Sequence, residues 1–467
     1  MAVRMLFRFA IVFSIALVVR FATTHAWFNT PERLYAPDSV GYDRLALNLL
    51  RHGAFSQSAI PPYAPDSHRT PGYPIFLAIV YRTIGHNPLA VIAVQDLIDS
   101  INAMLVYAIA GSVTTPQGAM IAGLGYAFAP LLIFQAQRLL TETLFVFFML
   151  IALLCGLNAL VRSSRSLLIS TAISCALATL VRPIGMGLAV MWLLAFVFMT
   201  YRCGLRLCLL RIVQFIGAYI APLLPWLIRN YITFHMLFLC TGHQLAFVYY
   251  NAAATWARVR GITLEEAQME IFNRAQHHFI GIKGAPAIKP LDVWQPAIQD
   301  PRNVQVLLTE AWHVVRSHPK EAISVHLEGF VHYLFMALPI RDVLANIFEV
   351  ADEMLHRPIR QRFMHLVRSG SCISALRMVW RERLQPLPWS ARLLWFYSML
   401  FTLVIEGLAF ASVRSSWRAG GQSRTIVIMG IAMIAYLLIS PGPQLEPRFR
   451  AVAEPWFIIM AAMAIVN

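Results

Sequence analysis

Nine charged side chains stand where an apolar run meets a polar stretch: Asp38, Arg69, Arg138, Glu142, Arg182, Arg229, Arg448, Arg450 and Glu454. Charges at the ends of membrane spans are partly desolvated, so each needs a partner or a purpose. A loop carboxylate among arginines at one membrane face can receive an anionic lipid headgroup, because guanidinium forks match phosphate oxygens. The chemistry open to such a set is proton removal by the acid and charge stabilisation by the cations.

Each member also has a plainer reading. Asp38 precedes S-V-G-Y-D-R-L-A-L-N-L-L, where Tyr42, Leu45, Ala46 and Leu49 recur at helical spacing. Its carboxylate could simply cap that helix; as a functional acid it would share a face with Tyr42, one turn on. The rigid turn H-R-T-P-G-Y-P, His68 to Pro74, aims Arg69 and carries Tyr73. Arg138 and Glu142 stand four apart, the spacing of a local ion pair. Arg182-Pro183 and Pro225-Trp226 with Arg229-Asn230 end spans as snorkelling anchors would. In E-P-R-F-R, Glu446 to Arg450, two arginines at one boundary call for an anion. Asp96 and Asp99, three apart within a span, read either as a proton path or as hydrogen-bonding groups across the bundle. No H-E-x-x-H, G-x-S-x-G or P-loop pattern is present, and the six cysteines form no C-x-x-C pair.

The elements that hold these residues are membrane helices. The 467 residues are 58% apolar and 13% charged, with a mean hydropathy of +0.62, whereas soluble domains carry about 25% charge. The net charge of +15 fits basic cytoplasmic loops and excludes a nucleic-acid partner as the first inference. A span needs roughly 20 apolar residues. The runs 5–26, 88–112, 117–134, 140–161, 167–182, 184–201, 207–228, 392–412, 424–441 and 449–467 meet or approach this, giving an all-α bundle of about ten spans. Residues 1–28 read as an uncleaved first span. Arg162, Arg165, Arg202, Arg206, Arg211, Arg414, Arg418 and Arg424 then share one side, the cytoplasmic one. The loops 29–87 and 230–390 face the other, and the amphipathic stretch 322–338 is expected in the interface. The chain divides into an N-terminal bundle, 1–235, including the outer loop 29–87, an extracytoplasmic or interfacial segment, 236–390, and C-terminal spans, 391–467.

The order of motifs carries more than any one of them. P-D-S-V-G-Y-D-R-L-A-L-N-L-L-R-H-G-A-F-S (Pro37 to Ser56), R-T-P-G-Y-P-I-F-L-A (Arg69 to Ala78), L-L-T-E-T-L-F (Leu139 to Phe145), L-A-T-L-V-R-P-I-G (Leu177 to Gly185), P-W-L-I-R-N-Y (Pro225 to Tyr231) and P-R-F-R-A-V-A-E-P (Pro447 to Pro455) follow one another. Together they resemble the C-type, polyprenyl-phosphate-dependent glycosyltransferases, in the branch of protein O-mannosyltransferases and the bacterial aminoarabinose transferase of lipid A. The resemblance implies that Asp38 is the catalytic acidic residue and Glu142 a second acidic position. It also implies that Arg69, Arg182, Arg229, Arg448 and Arg450 surround the donor phosphate. Many members carry Asp-Glu where this chain has Asp38-Ser39.

The expected reaction is an inverting sugar transfer from a polyprenyl-phosphate donor to a glycan, lipid or protein acceptor, at the outer face of a bacterial inner membrane. Asp38 would be the general base and Tyr42 and Tyr73 would support the site. A phosphate leaves without needing a proton, so with enough arginines no cofactor is expected and a divalent metal is optional. The 230–390 segment, with Trp256, Trp294 and Trp312, would shape acceptor choice. Two other classes fit less well: a lipid or solute transporter using Asp96 and Asp99, and an O-antigen ligase or polymerase with its essential residues in a late outer loop.

Overall fold

The computed structural model describes residues 2–201, 203–279, 296–334, 366, 369, 371–419, 421–444 and 446–466. Arg202, Trp294 and positions 335–338 of the expected interfacial stretch lie outside the described residues.

Among the described residues the chain is helical and forms no strand. Every apolar run falls on helix. Arg4–Trp27, Pro88–Gly111, Glu142–Arg162, Leu205–Phe234 and Trp389–Arg418 are long and apolar enough to cross a membrane. Arg165–Val181, Gly185–Tyr201, Arg424–Ile439 and Glu454–Ile465 are apolar but shorter. The run expected as one span over 449–467 is divided, into Pro447–Ala451 and Glu454–Val466. Glu454–Val466 packs on Trp389–Ala419 and also on Pro116–Phe128, so late and early helices share one bundle.

Helix starts follow from local chemistry. The Asn87 side chain accepts from the backbone N–H groups of Leu89 and Ala90, and Ser164 caps Arg165–Val181 through Leu167 N–H. The run read as a single span over 117–134 is instead bent by 52° between Pro116–Phe128 and Pro130–Ala136. Pro130 has no N–H to donate and its ring crowds the preceding turn. The carbonyls freed there are taken by Arg20, which is fully buried and donates to Tyr126 O at 3.2 Å and to Ala127 O. Arg20 also pairs with Asp99 at 2.7 Å, and Tyr126 Oη donates to Asp99 at 2.6 Å. Asp96 accepts from Thr24 Oγ1 at 2.9 Å and Gln137 Nε2 at 2.8 Å. Both intramembrane acids are therefore engaged in tying helices together.

Asp38, Arg69, Arg182 and Arg448 meet at one end of the bundle. As successive helices reverse, the short connections at 111–116 and 162–165, with Arg162 and Arg165, fall at the other. Beside the end that carries Asp38, residues 242–279 and 296–317 gather a second apolar core, including Leu245, Tyr249, Phe272, Leu307 and Val314. Helix Pro319–Leu334 follows, packed on Gly421–Ile439. Ile323, Leu327 and Val331 are exposed on one face of it.

Candidate active site

Asp38 stands just before the helix Ser39–His52 but does not cap it: its side chain bonds no helix N–H. The carboxylate instead receives two guanidiniums, one on each oxygen. Arg69 Nη2 is 2.6 Å from Oδ1, and Arg448 Nη1 contacts Oδ2. Burial by itself would raise the Asp38 carboxyl, but the charges of Arg69 and Arg448 outweigh it and hold the group well below the usual carboxylate range. Both guanidiniums are raised in turn: burial opposes their charge and Asp38 more than restores it.

Each arginine is aimed by the fold. Asp66 Oδ1 accepts from Arg69 N–H at 2.9 Å, closing the turn that presents the side chain. Thr70 Oγ1 donates to Val181 O at 3.0 Å. A Cβ on Gly72 would fall 2.8 Å from the Leu180 carbonyl, so only glycine lets this turn lie against the hairpin that carries Arg182. The Arg69 guanidinium lies 4.7 Å from the centre of the Tyr42 ring and donates to its hydroxyl at 3.3 Å. Arg182 pairs with buried Glu142 and donates to Thr141 Oγ1 at 3.2 Å. Phe449 touches both other cations, with Arg182 at 5.4 Å and Arg448 at 5.3 Å from its ring centre.

Asp38, Tyr42, Arg69, Arg182 and Arg448 line one cavity of about 360 Å³. Val40, Gly41 and Arg44, on the opposite face of the helix Ser39–His52, and Pro37 just before it line a second of about 500 Å³ with Asp66 and Asp300. The first turn of Ser39–His52 is thus a partition with Asp38 at its edge.

Four expected site residues do not line this cavity. Arg229 donates to Asp66 O at 2.8 Å and to Phe55 O at 3.4 Å, and its guanidinium lies 4.8 Å from the Trp226 ring centre, so it fastens the outer loop to the bundle. Arg450 is fully buried and held by Glu406 at 2.6 Å, Glu454 at 3.0 Å and the carbonyls of Tyr333 and Leu334. Tyr73 is buried and donates to Gln95 Oε1 at 2.7 Å, supporting the site only through its edge contact with Tyr42. Glu142 stands behind Arg182 and does not line the cavity.

Sequence reasoning missed Asp66, although its position three residues before Arg69 is a turn signal. It also missed Tyr249, Tyr250 and Gln268, which complete the cavity wall from the outer core. Tyr249 and Tyr250 sit on the π-helical turn Phe247–Ala252, a local widening with no signature in the sequence. Among the described residues no three His, Cys, Asp or Glu side chains converge as a metal-holding group.

Comparison with known proteins gives this arrangement a context. Residues 68–228 match the model of the dolichyl-phosphate-mannose-protein mannosyltransferase family, a stretch containing Arg69, Glu142 and Arg182 but neither Asp38 nor Arg448. The oligosaccharyltransferase of Archaeoglobus fulgidus tethered to an acceptor peptide superposes with a TM-score of 0.53 at 14% identity, over 99% of this chain and 49% of that one. The same enzyme in complex with Zn and sulfate gives 0.50 at 15% identity, over 98% and 48%. The fold is that of a C-type glycosyltransferase. This chain spans about half the length of that oligosaccharyltransferase. ArnT of Cupriavidus metallidurans, bound to undecaprenyl phosphate, also matches, at 13% identity and a TM-score of 0.41 over 98% of this chain and 77% of that one. No curated protein matches by sequence. The family resemblance read from the motifs is thus supported by family model and fold together, and the fold is that of a polytopic helical membrane protein.

Proposed function

We propose that the protein is an inverting glycosyltransferase that moves a sugar from a polyprenyl-phosphate donor to an acceptor hydroxyl at the extracytoplasmic face of a bacterial inner membrane. The observation that carries this is the Asp38 carboxylate held between Arg69 and Arg448, with Arg182 on the same cavity. The orientation rests on the basic loops at the opposite end of the bundle.

In the resting state Asp38 is a poor base, because two guanidiniums hold its lone pairs. A donor phosphodiester changes that. Its oxygens compete for the same forks, and as Arg69 and Arg448 turn toward phosphate the buried carboxylate loses its counter-charge and gains proton affinity. When the acceptor oxygen attacks the anomeric carbon, its proton goes to Asp38 and the C–O bond to phosphate breaks. Asp38 loses a negative charge as the departing phosphate gains one, so the net charge of the site is unchanged through the transfer. Guanidiniums already in place at the leaving oxygen stabilise the developing charge by about 3 kcal/mol for one good donor. The acceptor is a glycan, a lipid or a protein, reaching Asp38 from the side of the larger cavity.

The test is release of polyprenyl phosphate from a polyprenyl-phosphate hexose by the purified protein with a crude envelope acceptor. Asp38→Asn should lower kcat by roughly 10² to 10⁴-fold while the protein remains folded. Undiminished release by that variant would remove Asp38 from the chemistry.

A further inference from the structure

Resting on the proposed transfer, we infer that Asp43 is a positioning residue for Asp38: it fixes the rotation of the helix Ser39–His52 and, with it, the place of the acid beside Arg69. Asp43 lines neither cavity, so it has no contact with what binds there. Its side chain is 14% exposed, and its carboxylate gathers three side chains from other parts of the outer loop 29–87. Tyr81 Oη donates to Oδ1 at 2.5 Å, and His86 Nε2 lies 3.0 Å from Oδ1 and 3.2 Å from Oδ2. Tyr35 is hydrogen-bonded to it as well. The Tyr81 and His86 rings meet edge-on with centres 4.8 Å apart, which packs two of the three partners on each other.

The segments joined here are the ones that flank the working groups. Tyr35 stands three residues before Asp38 and Asp43 five after it. Tyr81 lies on the helix Gly72–Ile84, which begins three residues after Arg69, and His86 lies in the connection that follows that helix. The two helices thus meet at two points. Tyr42 packs on Tyr73 with ring centres 5.2 Å apart, and Asp43 is held by Tyr81, about two turns further along. Neighbouring residues project about 100° apart around a helix, so contacts at both 42 and 43 oppose a roll that either one alone would permit.

The chemistry of the cluster suits a fixed joint. A carboxylate offers about four lone-pair sites, enough for all three partners at once. Burial and the Asp43 charge push both phenols above their ordinary range, so Tyr35 and Tyr81 keep the protons that they donate. The consequence at Asp38 is geometric. A carboxylate about 5 Å from the helix axis moves by about 1 Å for a roll of about 10°, and a misplacement of about 1 Å at a reacting group costs on the order of 10²-fold in rate.

A double-substitution cycle on the full-length protein in nanodiscs tests this, read as kcat and KM for release of polyprenyl phosphate from a polyprenyl-phosphate hexose. Asp43→Ala should lower kcat about 10²-fold and leave KM for the donor within about twofold, since Arg69, Arg182 and Arg448 remain. Asp43→Asn, which keeps an acceptor for Tyr81, should recover most of that loss. Tyr81→Phe, which removes one hydroxyl and keeps the ring, should lower kcat about 3- to 10-fold. In an Asp38→Asn background, Asp43→Ala or Tyr81→Phe should cost less than about twofold more, because the group being positioned has already gone. A residue that merely held the loop together would cost as much in both backgrounds, and that result overturns the inference. So does wild-type kcat in Asp43→Ala or, where that variant folds poorly, in Tyr81→Phe. Release by Asp38→Asn at the wild-type rate would instead sink the functional reading, and leave Asp43 nothing to position.

Discussion

Arg448 and Arg450 stand two residues apart on one short helix and lead opposite lives. Arg450 is sealed from solvent, shared by Glu406 and Glu454, and donates to two carbonyls besides. Arg448 keeps 25% of its side chain exposed, faces a cavity, and meets Asp38, which Arg69 also holds. The first arrangement is closed: Arg450 is fully buried and lines neither cavity, so no incoming anion can reach it. The second contains the same kind of bond in a place where an anion can enter and exchange with it. What separates a structural ion pair from a working one here is access to the cavity, which the identity of the residues does not reveal.

The contrast can be broken at either end. Arg450→Ala should destabilise the protein by about 3–5 kcal/mol, since it leaves two buried carboxylates without their cation, and loss of folded yield in detergent would report it. Arg448→Ala should leave thermal stability close to wild type and lower donor turnover by roughly 10²–10³-fold. A stability loss matching that of Arg450→Ala would place both arginines in the same structural class. The pH profile sharpens the exchange. In the free protein the depressed Asp38 carboxyl stays ionised to well below the usual carboxylate range, so its share of stability is complete above about pH 4 and is lost only as pH falls through its lowered value. With donor bound, the arginines turn away and burial acts unopposed, so the acid limb of kcat should lie at higher pH than that of kcat/KM. Coincident limbs would argue against the exchange. The smallest effect is expected from excess chelator, which should leave turnover unchanged; complete loss restored by a divalent ion would add a metal to the site.

Much of this was legible in the sequence because apolar runs of membrane length are hard to disguise and charges at their ends stand out. That signal singled out Asp38, Arg69, Arg182 and Arg448, which the structure brings to one cavity. It singled out Arg229 and Arg450 equally well, and these lie elsewhere, because sequence does not say whether a guanidinium is already engaged by the Phe55 and Asp66 carbonyls or by Glu406. The bend at Ala129–Pro130 was overlooked although Pro130 announces it, since hydropathy alone continues smoothly across the break. Tyr249 and Gln268 were invisible for a different reason. They reach the cavity through a π turn and through the packing of a second small core, and neither leaves a periodic trace.

The contact between Asp38 and Arg448 joins positions 410 residues apart. During synthesis the acid and its first cation emerge together, and the second cation follows 410 residues after the acid. A chain inserted only as far as the outer core would therefore carry an acid with half its counter-charge. If the proposed sugar transfer holds, such a chain would be silent, because the arm that Arg448 supplies to the phosphate would still be missing.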